Sequence, residues 1–221
     1  MKKGLCWMAL LFGAMFLAAS CSEEDDTFDK YADWTSRNAT YFDTVTDSAL
    51  TAINGAKAAY GDDWEAHCEW RRMLSATKAN TGSNATTDYV CARILERAAV
   101  ERHPYWNDSV RVHYRGWLMQ TDVRLDDGTM VPERLVFDQT YKGTFNEEIA
   151  RPALLGVSSC VPGFATVLTY MSPGDCWRVY IPSTLAYGST ATGDIPAGST
   201  LCFEMRLAAV YPEGTNVPDW K

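Results

Sequence analysis

Apolar residues along this chain change their period once, and the change divides the sequence. From Tyr31 to Ala56, the residues Tyr31, Trp34, Tyr41, Phe42, Val45, Ala49, Ile53 and Ala56 fall on one face of a helix, and Gly55 and Gly61 end the pattern. Sustained a/d heptads are missing, so the helix reads first as a strut packed on a neighbouring domain and second as a dimerisation helix. Asp62 to Leu74, carrying Trp64 and Trp70, predicts a second short helix. Ala76 to Thr87, rich in Thr, Asn, Ser and Gly, predicts a linker.

Beyond Thr87 the period is two. Val110, Val112, Tyr114 and Leu118 oppose Arg111, His113, Arg115 and Trp117, as in a half-buried strand. Trp177, Val179 and Ile181 oppose Cys176, Arg178 and Tyr180, and Leu201, Phe203, Met205 and Leu207 oppose Cys202, Glu204 and Arg206. Shorter strands are predicted over Tyr89 to Leu95 and over Val136 to Asp138. One helix, Phe164 to Met171, follows Pro162 and Gly163 and stops at Ser172, Pro173 and Gly174. The polar stretch from Met119 to Leu135, with Asp126, Asp127 and Gly128, reads as a hairpin tip. Five strands with one polar face and a single short helix make an α+β fold with an antiparallel sheet, preceded by a helical extension.

Charge and cysteine usage narrow the function. The net charge of −8 and the lack of a basic stripe exclude a nucleic-acid partner. His67, His103 and His113 are scattered and no CxxC spacing occurs, so no metal or cofactor is expected. Lys2 and Lys3, an apolar run from Leu5 to Ala19 and the ending Leu17-Ala18-Ala19-Ser20-Cys21 read as an export signal, too short for a membrane span. That ending resembles the lipobox of bacterial lipoproteins, which implies acylation of Cys21 and anchoring to a lipid bilayer. Ser22 to Asp26 reads as a solvated acidic tether, and it also resembles the export tag of surface lipoproteins in Bacteroidetes. Of seven cysteines, Cys68, Cys91, Cys160, Cys176 and Cys202 remain, an odd number that leaves at least one thiol free. A bridge between Cys176 and Cys202 stays open at this stage.

Five strings carry the chemistry: Val112-His113-Tyr114-Arg115-Gly116; Val136-Phe137-Asp138; Val161-Pro162-Gly163-Phe164; Tyr180 to Ser183 with Leu185-Ala186-Tyr187-Gly188; and Ile195-Pro196 with Thr200 to Glu204. In order and spacing they resemble the FKBP-type peptidyl-prolyl isomerases. The resemblance spans roughly Thr86 to Pro212 and implies a five-stranded antiparallel sheet wrapped around one short helix. It also implies a pocket for a proline-containing polypeptide, with Phe164 as floor, Tyr114, Phe137, Val161 and Phe203 as walls, and Ile195 at the rim. Asp138 and Tyr187 would supply polar contacts, and the Val161 N–H would donate to the substrate.

Departures from the family pattern are Phe164 where Trp is usual, Cys160 in place of an aliphatic residue, and Asp194 before Ile195. They imply slower turnover and poor affinity for the family's macrolide ligands.

The expected organisation is a signal peptide over 1–20, an acidic tether over 21–27, a helical extension and linker over 28–85, the isomerase-type domain over 86–212 and a tail over 213–221. The expected activity is isomerisation of X–Pro bonds in exported proteins by a lipoprotein of the outer membrane. The alternative is a non-catalytic peptide-binding module or chaperone on a surface lipoprotein, and a second copy of the chain, paired through the N-terminal helix, is a further candidate partner.

Overall fold

The computed structural model describes residues 28–220, so Cys21, the signal and the whole acidic tether lie outside the described residues. In chain order the first elements are α1 (Trp34–Tyr60), α2 (Trp64–His67), β1 (Trp70–Leu74), β2 (Tyr89–Glu96), β3 (Ser109–Leu118), β4 (Thr121–Arg124) and β5 (Met130–Glu133). They are followed by β6 (Val136–Gln139), β7 (Ala153–Gly156), α3 (Pro162–Leu168), β8 (Cys176–Ile181) and β9 (Leu201–Tyr211).

The period-two segments form one antiparallel sheet in the order β1-β2-β8-β9-β3, with β6 and β7 sharing the far edge of β3. β6 pairs with Arg115 to Trp117, and β7 pairs with Ser109 to Val112. The polar insert is a separate hairpin of β4 and β5, turned at Gly128, whose φ of 84° suits a residue without a Cβ.

Two expectations need correction. The predicted second helix stops at His67, and Trp70–Leu74 is an edge strand. The sheet therefore contains β1 and β7 in addition to the five predicted strands. Ala76 to Thr87 joins β1 to its neighbour β2, so it is a long connection within the sheet and not a spacer between separate bodies.

The inner face of the sheet carries Val90, Ala92, Val110, Val112, Val179, Ile181, Met205 and Leu207, all buried in one core with Phe164, Ala165, Val167 and Leu168 of α3. Pro162 at the first turn presets the helical φ where its missing N–H costs nothing. Gly163 brings α3 close to β8, since a Cβ there would lie 2.2 Å from Ile181 Cγ2.

On the outer face, α1 lays Phe42, Val45 and Ala49 over Cys91, with Trp70 and Tyr180 beside them. The Tyr41 hydroxyl meets Cys202 Sγ at 3.4 Å and Thr46 Oγ1 meets Cys91 Sγ at 3.7 Å. Much of the apolar stripe of α1 is thus buried within the chain. Its first turns also grip the connection leading into β9. The Trp34 indole N–H donates to Ser199 Oγ at 2.8 Å, and Asn38 Oδ1 accepts the Thr200 N–H at 2.8 Å.

Cys68, Cys91, Cys160, Cys176 and Cys202 are all free thiols. Cys202 pairs with Tyr180 and Cys176 with Arg206, so the two candidate partners are offset by four residues along β9. That offset is roughly 13 Å at the rise of a strand, well beyond disulfide reach.

His113 is buried, and neither ring nitrogen has a hydrogen-bond partner among the described residues. Phe145 meets it edge-on at 5.0 Å and Trp220 at 6.1 Å. Burial holds its pKa below the ordinary 6.5, with nearby Arg206 adding to the effect and Glu147 opposing it. The unfolded chain then binds the proton first as pH drops below 6.5, so stability falls with pH until the lower native pKa is reached. The slope from this group is at most about 1.4 kcal/mol per pH unit. Melting curves between pH 7.5 and 5 should show this slope in the wild type and a reduced one in His113→Phe. Identical slopes would show that the ring is not a source of the acid sensitivity.

Candidate active site

The inner-face aromatics of the sheet converge with the start of α3. Tyr114 comes from β3, Phe137 and Asp138 from β6, and Phe203 from β9. Val161 and Phe164 come from the N-terminus of α3, and Tyr187 and Ile195 from the connection between β8 and β9. All eight line one open cavity of about 610 Å³, a volume suited to a small ligand or a peptide segment. Successive strand residues ordinarily face opposite ways, yet Phe137 and Asp138 both reach the cavity. The register shift between Gly116 and Trp117 accounts for this, because a bulge re-aims side chains locally.

Phe203 is the centre of the aromatic cluster. Its ring lies edge-to-face with Phe164 at 5.1 Å, Phe137 at 5.4 Å and Tyr114 at 6.1 Å. Tyr114 and Phe164 also meet edge-on, at 5.9 Å. These are the favoured geometries for ring quadrupoles, so the rings brace one another into a fixed surface. Gly116 makes room for them: a Cβ there would lie 2.6 Å from Phe203 and 2.7 Å from Phe137.

Polar groups line the cavity as well. The Tyr114 hydroxyl donates to Asp138 Oδ2 at 2.7 Å. Burial, reinforced by that bond and by the Asp138 charge, pushes the phenol pKa well above its ordinary value, so Tyr114 remains a donor. Tyr187 is 39% exposed, placing its side chain at the mouth of the cavity. At the N-cap of α3, the Val161 carbonyl accepts the Ala165 N–H at 3.0 Å.

The rim is a tight turn. Thr192 and Ile195 exchange N–H to carbonyl bonds of 2.9 and 3.0 Å around Gly193, whose φ is 54°. This fixes Ile195, which is buried, beside Asp194. Cys160 also lines the cavity, with its thiol pKa pushed up to about 11 by burial, so it acts as a small neutral wall residue.

Sequence reasoning missed Leu155 and Ser159, which line the cavity from β7 and the turn after it. Leu155 stands in Ala153-Leu154-Leu155-Gly156, an apolar run bounded by glycine that can be read as a short buried strand.

Residues 100–208 match the sequence model of the FKBP-type peptidyl-prolyl cis-trans isomerases. This stretch belongs to that family. Over 141 residues the chain is 33% identical to the peptidyl-prolyl cis-trans isomerase Mip of Coxiella burnetii, an alignment covering 63% of this chain and 53% of that protein. It is 33% identical over 139 residues to the outer membrane protein MIP of Legionella longbeachae, covering 62% and 51% respectively. It is 32% identical over 142 residues to the FKBP-type 22 kDa peptidyl-prolyl cis-trans isomerase of Escherichia coli, covering 63% and 58%. The chain therefore spans about half the length of the curated relatives it matches. Among solved structures, a peptidyl-prolyl cis-trans isomerase from Pseudomonas syringae aligns over 77% of this chain and 96% of its own, at 24% identity and a TM-score of 0.44. In the FKBP-type stretch, the aromatic cluster, the Tyr114–Asp138 pair and the Ile195 turn all line the same cavity.

Proposed function

We propose that this protein is a peptidyl-prolyl cis-trans isomerase of the cell envelope, acting on X–Pro bonds of exported polypeptides and held on the outer membrane through an acylated Cys21. The observation that carries the isomerase reading is the convergence of Tyr114, Phe137, Phe164 and Phe203 on one open cavity, with the Asp138 carboxylate and the Tyr187 phenol beside them. Two independent hints support the location: the Leu17-to-Cys21 lipobox pattern, and the Legionella relative named as an outer membrane protein.

Rotation about an X–Pro bond is slow because resonance stiffens the C–N bond, with a barrier of about 18–20 kcal/mol. No proton transfer is needed to cross it. The twisted amide has lost resonance, so its carbonyl is less polar and loses less on leaving water than the planar form. A rigid aromatic surface binds the twisted form better on that account, and only such differential binding accelerates the step. Phe164 and Phe203 would hold the proline ring, while the Tyr187 hydroxyl and the Val161 N–H would take the flanking carbonyls. Asp138 holds the Tyr114 ring in place through the 2.7 Å bond.

The test is a proline-limited refolding assay and a peptide assay with the protein lacking its signal and Cys21. Tyr187→Phe removes one donor and should lower kcat/KM about three- to tenfold. Asp138→Ala should cost about tenfold or more, because it also frees the Tyr114 hydroxyl. Refolding rates that are equal with and without the wild-type protein would sink the isomerase reading. Peptide binding without turnover would redirect it to a capture module.

A further inference from the structure

A second hollow, of about 350 Å³, shares no lining residue with the aromatic cavity. Much of its wall comes from Trp64 of α2, Arg71, Arg72 and Met73 of β1, Ile94 of β2 and Arg97 just after it. All of these precede the FKBP-type stretch of residues 100–208, so this wall is an addition to that domain. Met73, Ile94 and Trp177 give the hollow a buried apolar lining.

Its charge is concentrated in an arginine pair. Arg71 donates to the Cys68 carbonyl at 3.0 Å and to the Glu65 carbonyl at 2.8 Å. Arg97 donates to the same two oxygens, at 2.7 and 3.0 Å. Two guanidinium groups that share both acceptors lie side by side, and their like charges add to one positive potential. Neighbouring acids leave much of it unanswered. Both Asp175 oxygens are taken by backbone N–H groups, those of Ala98 and Ser172, each at 2.7 Å. Glu65 Oε2 stands 3.7 Å from Arg71, and Glu101 is exposed.

Two more donors on the lining, the Trp177 indole N–H and the Arg72 Nε–H, are buried and have no acceptor among the described residues. A buried donor without an acceptor is costly, and each one in a native structure calls for a cause.

We propose that this hollow binds an apolar group ending in a carboxylate, either a small organic acid or the C-terminal residue of a polypeptide. The carboxylate meets the arginine pair, whose planar forks match its two oxygens, and the apolar body lies against Met73, Ile94 and Trp177. The site stands apart from the isomerase reading, because the two cavities have no residue in common.

The experiment titrates the wild-type protein with phenylacetate, its neutral isostere phenylacetamide, and inorganic phosphate. A second arm uses the peptide Ala-Ala-Ala-Phe as the free acid and as the C-terminal amide. Heat and tryptophan fluorescence are read, since Trp64 and Trp177 both line the hollow. Phenylacetate should bind at least about tenfold more tightly than phenylacetamide, the scale of one hydrogen bond to a charged group, and more tightly than phosphate. A free-acid peptide that outbinds its amide by the same factor assigns the site to chain ends, and one that does not assigns it to small acids. Arg97→Gln should bring the acid-to-amide ratio close to one. Ala98→Trp, which fills the hollow and leaves the arginine pair in place, should abolish binding of the acid. Equal binding of acid and amide in both arms, phosphate binding as tight as phenylacetate, acid binding that survives both substitutions, or no binding of any probe overturns the site.

Discussion

Phe203→Ala should remove about 3–5 kcal/mol of folding stability and abolish measurable turnover. The side chain is buried and belongs to the main core, so its loss leaves a cavity that the sheet cannot close. It also breaks three edge-to-face contacts, to Phe164, Phe137 and Tyr114, each worth about 0.5–1.5 kcal/mol beyond the area buried. A single domain has a total stability of about 5–15 kcal/mol, so a large share is at stake. Urea midpoints measure the first effect and the peptide assay the second. Phe203→Leu separates them: it refills much of the volume yet supplies no ring edge, so stability should recover further than activity. A loss below about 1 kcal/mol in the Ala variant would show that the rings do not depend on one another as their geometry implies.

Asn38→Leu should cost about 2–4 kcal/mol, though the residue lies on α1, far in sequence from the cavity. Its side chain is fully buried, accepting the Thr200 N–H at 2.8 Å and donating to the Trp34 carbonyl at 2.8 Å. Leucine makes neither bond. It strands the buried Thr200 N–H, and a stranded donor costs more than a missing bond is worth. Because Thr200 ends the loop that carries Ile195, peptide affinity should weaken along with stability. Chemical denaturation and hydrogen exchange at the Thr200 amide provide the measurement. Unchanged exchange would mean that α1 rests on the sheet without anchoring that loop.

Much of this arrangement was legible in the sequence because burial and backbone period agree there. The alternations around Val112, Val179 and Met205 mark central strands with one side on the core and the other on a more polar surface. The aromatic wall was legible for a different reason, namely five motifs in register, and the structure brings all eight of the residues they supplied to one cavity.

The misreadings have physical causes too. In Trp70-Arg71-Arg72-Met73-Leu74 only Met73 is fully buried in the core, while Trp70 sits under α1 and Arg72 lies over the Tyr89 ring at 3.5 Å. An edge strand with one core residue shows no alternation, and the nearby tryptophans imitate a helical face. The four residues of β7 are too few to display any period. The contacts of Lys30 left no sequence signal, because its partners Thr121 and Glu133 are brought to it only by the fold, whereas Tyr31 and Trp34 stand three residues apart in the apolar pattern.

The position of β9 has a consequence for how such a chain comes into being. It is the last strand in sequence, yet it lies between β8 and β3, near the middle of the sheet. Until it arrives, β3 has only the short strands β6 and β7 at its side, and the β1-β2-β8 group has no bond to the rest of the sheet. Pairings of such long sequence separation make closure late and slow. A polypeptide emerging from a membrane N-terminus first would thus close its sheet only after its final segment had crossed.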